Sequence, residues 1–264
     1  MMNAARRIMC KALMTGALMC LCVAVSAADA LPGLIARVKP SVLAVGFYKE
    51  SQSPRFGFSG TGFVVGDGNL LVTNAHVITR ATEDDASNIS LVVYTPGASG
   101  QDSVRRLEII EVDKAHDLAL LRFEGAAVPA LALGLEQPVR EGQTVAFIGF
   151  PMGSNLGLSP VTHRGIVAAI TSVALPSPSA RQLDGRAIKA LKEGAFDLLQ
   201  LDATAYPGNS GGPLFDAESG AVVGVVNMVA LKGTRESALT HPSGISYAIP
   251  VEHVKRLLAR NERK

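Results

Sequence analysis

Beyond residue 30 the chain has no cysteine, because Cys10, Cys20 and Cys22 account for all three. The remainder therefore folds without disulfides and must rely on its core. A chain of 264 residues with 48% apolar side chains is long enough to build one. An excess of one charge sign is missing too: setting aside residues 1–30 removes three of 25 Lys and Arg and one of 23 Asp and Glu, leaving 22 of each. Such a balance offers no electrostatic footing for a nucleic acid. No HExxH occurs, and His163, His241 and His253 have no partner at metal-ligand spacing. Metal-dependent hydrolysis is disfavoured, and no cofactor is expected. Repeats, heptads and low-complexity tracts are absent as well.

Long hydrophobic runs are also lacking. The most apolar stretch, residues 12–25, falls short of the ~20 residues that span a bilayer. It follows Arg6, Arg7 and Lys11 and leads into Val25-Ser26-Ala27 and Ala28-Asp29-Ala30. This is the layout of a cleavable secretory signal, with cleavage expected after Ala27 or Ala30. The body is then expected in the periplasm or outside the cell, with no stable membrane anchor. The residues before Cys20 and Cys22 match a lipoprotein cleavage box poorly.

Short β-branched or aromatic runs broken by Gly, Pro, Asp and Asn stand at residues 42–47, 62–65, 70–73, 89–94, 107–112 and 118–123. They resume at 144–149, 165–169, 198–201, 221–226 and 245–249. This texture predicts an all-β protein with two sets of about six strands. Gly66-Asp67-Gly68-Asn69 reads as a hairpin turn, since Gly and Asn accept positive φ cheaply. Apolar periodicity predicts helices at 31–38, stopped by Pro40, and at 251–260, whose basic face is expected to be solvated. A further short helix is expected at 186–192, inside a long insertion of unknown role. The expected organisation is one domain over 31–264, with halves at 41–135 and 136–250 and the helix at the end.

Among these runs, residues 205–214 read AYPGNSGGPL, a glycine-crowded turn around Ser210. A serine hydroxyl is a weak nucleophile unless a base takes its proton. LVTNAHV at 71–77 delivers His76, and DLALL at 117–121 opens on Asp117. The order His76, Asp117, Ser210 is one of the convergent arrangements of a Ser-His-Asp triad. Gly208 to Gly212 also fits the GxSxG of an α/β-hydrolase, but that fold needs a helix after the serine and a downstream histidine, where GGPLFD follows instead. His116 adjoins Asp117, and alternation along a strand predicts that it faces the other way, as a surface histidine.

Four segments in this order, SGTGFVV at 59–65, TNAHV at 73–77, DLALL and YPGNSGGPL at 206–214, resemble the trypsin-like serine proteases and, more closely, their bacterial HtrA/Deg branch. VTHRGIV at 161–167 and GISYAIP at 244–250 extend the resemblance over residues 31–250, with a weak stretch at 173–200. The resemblance implies two packed six-stranded antiparallel β-barrels, with His76 and Asp117 in the first and Ser210 in the second. It implies an endopeptidase in which Ser210 attacks, His76 relays the proton, Asp117 orients the ring, and the N–H groups of Gly208 and Ser210 form the oxyanion hole. A trimer is also implied, whereas the PDZ domain that usually follows in that branch is not expected here.

By the same resemblance, Thr204, Ala205, Tyr206, Asn227 and Met228 line the primary specificity pocket. None is acidic, so a substrate Lys or Arg would be buried unpaired. Glutamate-specific relatives carry a serine or threonine where Ala205 stands and a histidine on the wall strand, which VVNMV lacks. Small or medium aliphatic residues are therefore expected on the acyl side of the cut. Where many relatives place the aspartate that pairs with a freed amino terminus, this chain has Asn209, so activation by that ion pair is not expected. The competing reading is a latent, protease-like binding module, expected to turn the Gly208 carbonyl into the oxyanion hole.

Overall fold

The computed structural model describes residues 30–51, 53–81, 89–95, 103–134, 137–153, 157–173, 196–227 and 244–263. Helix α1 (Ala30–Val38) ends in a short 3-10 turn at Lys39–Ser41, where Pro40 cannot continue the α-helical ladder. Six strands follow: β1 (Val42–Tyr48), β2 (Phe56–Val65), β3 (Leu70–Thr73), β4 (Ser90–Thr95), β5 (Ser103–Asp113) and β6 (Leu118–Phe123). Their pairing order, β1-β2-β3-β6-β5-β4, closes into an antiparallel barrel. Strands β7 (Thr144–Gly149), β8 (Val161–Val173), β9 (Phe196–Asp202), β10 (Pro213–Asp216), β11 (Val222–Asn227) and β12 (Ile245–Pro250) close a second, in the order β10-β11-β12-β9-β8-β7. Helix α2 (Val251–Asn261) follows β12 directly. The all-β, two-barrel expectation and both terminal helices hold.

Closure explains why the strand sequences read as unbroken apolar runs rather than alternating ones. Along β3 and β6, Leu71, Ala119 and Leu121 fill the first barrel, while Leu70, Val72, Leu118 and Leu120 face a second core shared with the other barrel. These strands are buried on both faces, so neither face has to be polar. The shared core takes Phe196, Leu198, Val222, Val225 and Ile249 from the second barrel and Val251, Val254 and Leu257 from α2. A parallel layer on another side packs Leu34 and Val38 of α1 with Val42, Ala44, Ile148, Phe150 and Phe215. The two helices therefore wedge the barrels together, each packing in a core layer to which both barrels contribute.

Several strands differ from the sequence expectation: β5 and β8 each start four residues earlier, and β8 also ends four residues later. β10 has no counterpart among the predicted runs, because it is four residues long and opens with Pro213, acceptable at a first position where its missing N–H breaks no ladder. β2 starts at Phe56, six residues before the predicted run, since Gly57 and Gly60 interrupt the apolar signal. Gly60 answers to space: a Cβ there would stand 2.6 Å from Val77 Cγ2 and 3.1 Å from the Ser210 carbonyl oxygen, whereas one on Gly57 would meet only the Phe47 carbonyl oxygen at 3.7 Å. The predicted 186–192 helix, Met228 and His241 lie outside the described residues, as do residues 1–29.

His116 is not the surface histidine expected from strand alternation. Residues 114–117 form a turn rather than a strand, and Asp117 has φ 51°, so alternation does not apply. The His116 ring packs on His253 and Phe196, with centroids 4.0 and 4.8 Å away, and its Nδ1 lies 2.9 Å from Asp113 Oδ1. Arg260 of α2 reaches Glu111 and Asp113 at 2.7 and 2.9 Å. The basic face of that helix is thus partly engaged in docking.

Burial, with His116 and Arg256 adding like charge and Asp113 opposing them, pushes His253 down from 6.5 to about 4. Burial alone would raise Asp113, but hydrogen bonds from Arg260 and His116 outweigh it and hold its carboxyl below 3.8. Between pH 6.5 and about 4 the unfolded chain takes a proton at His253 that the folded chain refuses, so stability falls as pH falls through that window. Above it His253 is neutral in both states, and Asp113 contributes its loss only below the window. The melting temperature should therefore drop between pH 6.5 and 4, and His253→Leu should flatten that slope. An unchanged slope in the variant would exclude His253 as its source.

Candidate active site

Each of the three candidate residues sits just outside a strand end, where the backbone can depart from strand geometry. His76 is the second residue of a 3-10 segment, Ala75–Ala81, that begins one residue after β3. Asp117 ends the turn before β6, and Ser210 lies in the turn before β10. The Asp117 carboxylate accepts the backbone N–H of His76 at Oδ1, 2.9 Å, and faces His76 Nδ1 through Oδ2, 2.6 Å. Its own carbonyl accepts the Ala75 N–H at 3.1 Å and the Asn74 amide at 3.0 Å. The left-handed backbone of Asp117 turns side chain and carbonyl alike toward the histidine segment.

A third donor comes from the other barrel. Asn227 Nδ2, at the end of β11 and fully buried, lies 2.9 Å from Asp117 Oδ2. Its predecessor Val226 accepts the Gly211 N–H at 2.9 Å, so one strand end is bonded to the turn carrying Ser210 and, one residue on, to the acid. Ser59 adds a link on the other side, its hydroxyl donating to the Val77 carbonyl at 2.6 Å. Ser210 itself is 6% exposed, a buried hydroxyl residue at the junction of the barrels.

The turn around Ser210 distributes its N–H groups unequally. Asn209 donates to the Tyr206 carbonyl at 2.9 Å, Gly211 to Val226 at 2.9 Å, and Gly212 to Asn209 at 3.0 Å. Among the described residues, the N–H groups of Gly208 and Ser210 have no acceptor. The flanking carbonyls are held: that of Pro207 accepts the Met152 N–H at 2.8 Å, and that of Gly208 accepts the Thr61 hydroxyl at 2.6 Å. The arrangement expected of a latent site, with the Gly208 carbonyl turned inward, is not adopted. Gly208 has φ 105°, and a Cβ there would collide with the Phe150 carbonyl, so the turn requires glycine.

The expected pocket residues separate in the structure. Asn227 directs its amide at Asp117, because β11 ends against the first barrel's acid-bearing turn. Ala205 packs into the interior of the second barrel, its N–H bound to the Ser246 hydroxyl at 2.8 Å. Thr204 and Tyr206 are half-buried, Tyr206 with its ring 6.1 Å from that of His163. His163 is stacked on Phe147 and pushed below its ordinary value by burial. No cluster of metal-ligating side chains occurs among the described residues.

Sequence reasoning had no signal for the support given by Asn227. It also gave Thr61 only as part of a matching string. A hydroxyl or amide that acts through hydrogen bonds across the barrel junction leaves no local pattern.

Two six-stranded barrels holding a His-Asp pair beside a glycine-rich serine turn define a trypsin-like architecture. A sequence profile described as "Trypsin-like peptidase domain" matches residues 60–225, and the chain belongs to that family. Its relatives include "Serine protease HTR4" of Bos taurus, 30% identical over 235 residues that make up 87% of this chain and 40% of that one. "Serine protease HTRA4" of Homo sapiens is 32% identical over 203 residues, 76% of this chain and 34% of the relative. "Serine protease HTRA1" of Xenopus tropicalis is 31% identical over 207 residues, 78% and 36%. The chain thus spans well under half the length of these relatives. Among solved structures it is similar to one described as "Crystal structure of Deg5", with TM-score 0.60 and 26% identity, covering 85% of this chain and 90% of that one.

Proposed function

We propose that the protein is an exported serine endopeptidase that cleaves peptide bonds through His76, Asp117 and Ser210. The observation that carries this reading is the His76–Asp117 contact beside a serine turn in which, among the described residues, the N–H groups of Gly208 and Ser210 have no acceptor. The Ser210 oxygen attacks the scissile carbonyl carbon as His76 takes the hydroxyl proton. The resulting oxyanion is held by the two N–H groups, each worth ~3 kcal/mol of barrier. Collapse breaks the C–N bond, with the His76 proton passing to the leaving amine. Water then adds to the acyl carbon by the same relay and releases the acid.

The basic, apolar and small-residue order of residues 6–30 supports export to the periplasm or beyond. Among the described residues no helix is long and apolar enough to cross a membrane. Protein or peptide substrates follow from the family, and a homotrimer is the assembly its HtrA-type relatives suggest. With no carboxylate among Thr204, Ala205 and Tyr206, the acyl-side preference is for small or medium aliphatic residues.

Mass-spectrometric mapping of cuts in a proteome-derived peptide library, against a Ser210→Ala control, tests both points. The expected profile places Ala, Val, Leu or Ile before the cut and vanishes in the control. A profile led by Lys, Arg or Glu would refute the pocket assignment, and no cut at all would refute the peptidase.

A further inference from the structure

We propose that Thr61 is a positioning residue for the oxyanion turn, assembling it from the first barrel without any activation ion pair. The inference rests on the peptidase reading and names what holds that site in its working form. Thr61 lies on β2 and is fully buried, and its polar groups face four partners. Its N–H donates to the Ser210 carbonyl at 2.8 Å. The hydroxyl donates to the Gly208 carbonyl at 2.6 Å and accepts the Phe150 N–H at 3.1 Å. The Thr61 carbonyl accepts the Thr73 hydroxyl at 2.6 Å, fixing β2 beside the strand that leads to His76.

These bonds constrain the peptide that matters. A Gly208 carbonyl tied to Thr61 and a Pro207 carbonyl tied to Met152 leave the intervening Gly208 N–H free to face the substrate. Because a trans peptide points its N–H and carbonyl in opposite directions, rotation of either peptide unit would break one of those bonds. Phe150 and Met152 belong to one short segment, so the Thr61 hydroxyl couples that segment to the turn.

The residue beside the nucleophile supplies little of this anchoring. Asn209 is buried, its Nδ2 is 3.4 Å from His163 Nε2, and its Oδ1 has no donor among the described residues. A neutral amide with one long contact cannot replace an ion pair in fixing the turn. A buried hydroxyl with a donor on one side and an acceptor on the other does so by geometry.

The test compares wild type, Thr61→Val and Thr61→Ser on one peptide that wild type cleaves, with fluorophosphonate labelling of Ser210 and hydrogen exchange at Phe150. Val keeps the branched shape without the hydroxyl, and Ser keeps the hydroxyl without the methyl. Thr61→Val should lower kcat by ~10²-fold with little change in KM, slow the labelling in parallel, and expose the Phe150 amide to exchange. Thr61→Ser should recover to within ~10-fold of wild type on all three readouts, since the hydroxyl carries both bonds.

A Thr61→Val protein with a lower melting temperature but a kcat near wild type would overturn the proposal and leave Thr61 structural only. Equal losses in the Val and Ser variants would overturn it as well, by assigning the effect to the methyl group. If Thr61→Val does not fold, Thr61→Cys, of similar size and weaker as a donor, carries the same comparison. Wild type that neither cleaves nor labels would reject the peptidase reading itself, and the proposal with it.

Discussion

Ser210→Ala and His76→Ala are each expected to lower kcat by roughly 10⁶-fold, and the double variant to lose no more than either alone. The reason is that the two side chains act in one event. Without His76 the Ser210 proton has no acceptor, and without Ser210 the base has no nucleophile to activate. What survives in every variant is the free pair of N–H groups at Gly208 and Ser210 and whatever binds the peptide. A residual rate of ~10³-fold over water should therefore remain, identical among the three. The Ser210→Ala fold should be preserved, since the turn is held by backbone bonds to Tyr206, Val226 and Asn209 that need no hydroxyl. Single-turnover kinetics with matched melting curves check this, and losses that multiply in the double variant would mean that the residues do not act together.

Asp117→Asn is expected to cost roughly 10⁴-fold in kcat while leaving the melting temperature within a few degrees of wild type. Asparagine tolerates the left-handed backbone at φ 51°, so the turn is not strained by the exchange. The hydrogen bonds are what fail. The carboxylate receives three donors, the His76 backbone N–H at one oxygen and both His76 Nδ1 and Asn227 Nδ2 at the other. An amide offers one accepting oxygen and one donating nitrogen. If its oxygen takes the His76 backbone, its NH₂ confronts Asn227 and forces Nδ1 to accept, which moves the ring proton to Nε2 and blocks the base. The flipped amide leaves the backbone N–H facing a donor. Activity within ~10-fold of wild type would show that Asp117 does not set the tautomer, contrary to the triad logic.

Much of this was legible in the chain because local chemistry forced it. The runs at 70–73 and 118–123 form strands with those bounds, since short β-branched and leucine-rich segments between turns have few alternatives. The Gly66–Asn69 turn is there because Gly66 and Gly68 take φ 63° and 89°, which other residues resist. The order of His76, Asp117 and Ser210 identified the candidate triad. Less was legible where the reason for a residue lies across the molecule. Pro213 hid a strand, and His116 looked exposed because its neighbours His253, Phe196 and Asp113 arrive from α2, β9 and β5. That the Asn227 amide reaches Asp117 had no local signal, because a sequence indicates the strand and not the direction of a side chain on it.

The sequence by itself determined the strand-rich character, the two terminal helices, the absence of disulfides from the body and the identity of the candidate nucleophile, base and acid. Each depends on residue type or short-range periodicity, which the chain carries at every point. Only the tertiary structure decided which face of each strand is buried twice, that α1 and α2 wedge the barrels, and that Thr61 and Asn227 reach across the junction to the Gly208 carbonyl and the Asp117 carboxylate. Those bonds join residues 147 and 110 positions apart. Hydrogen bonds act over about 3 Å, so their partners are fixed by the closure of two barrels and not by anything written between them.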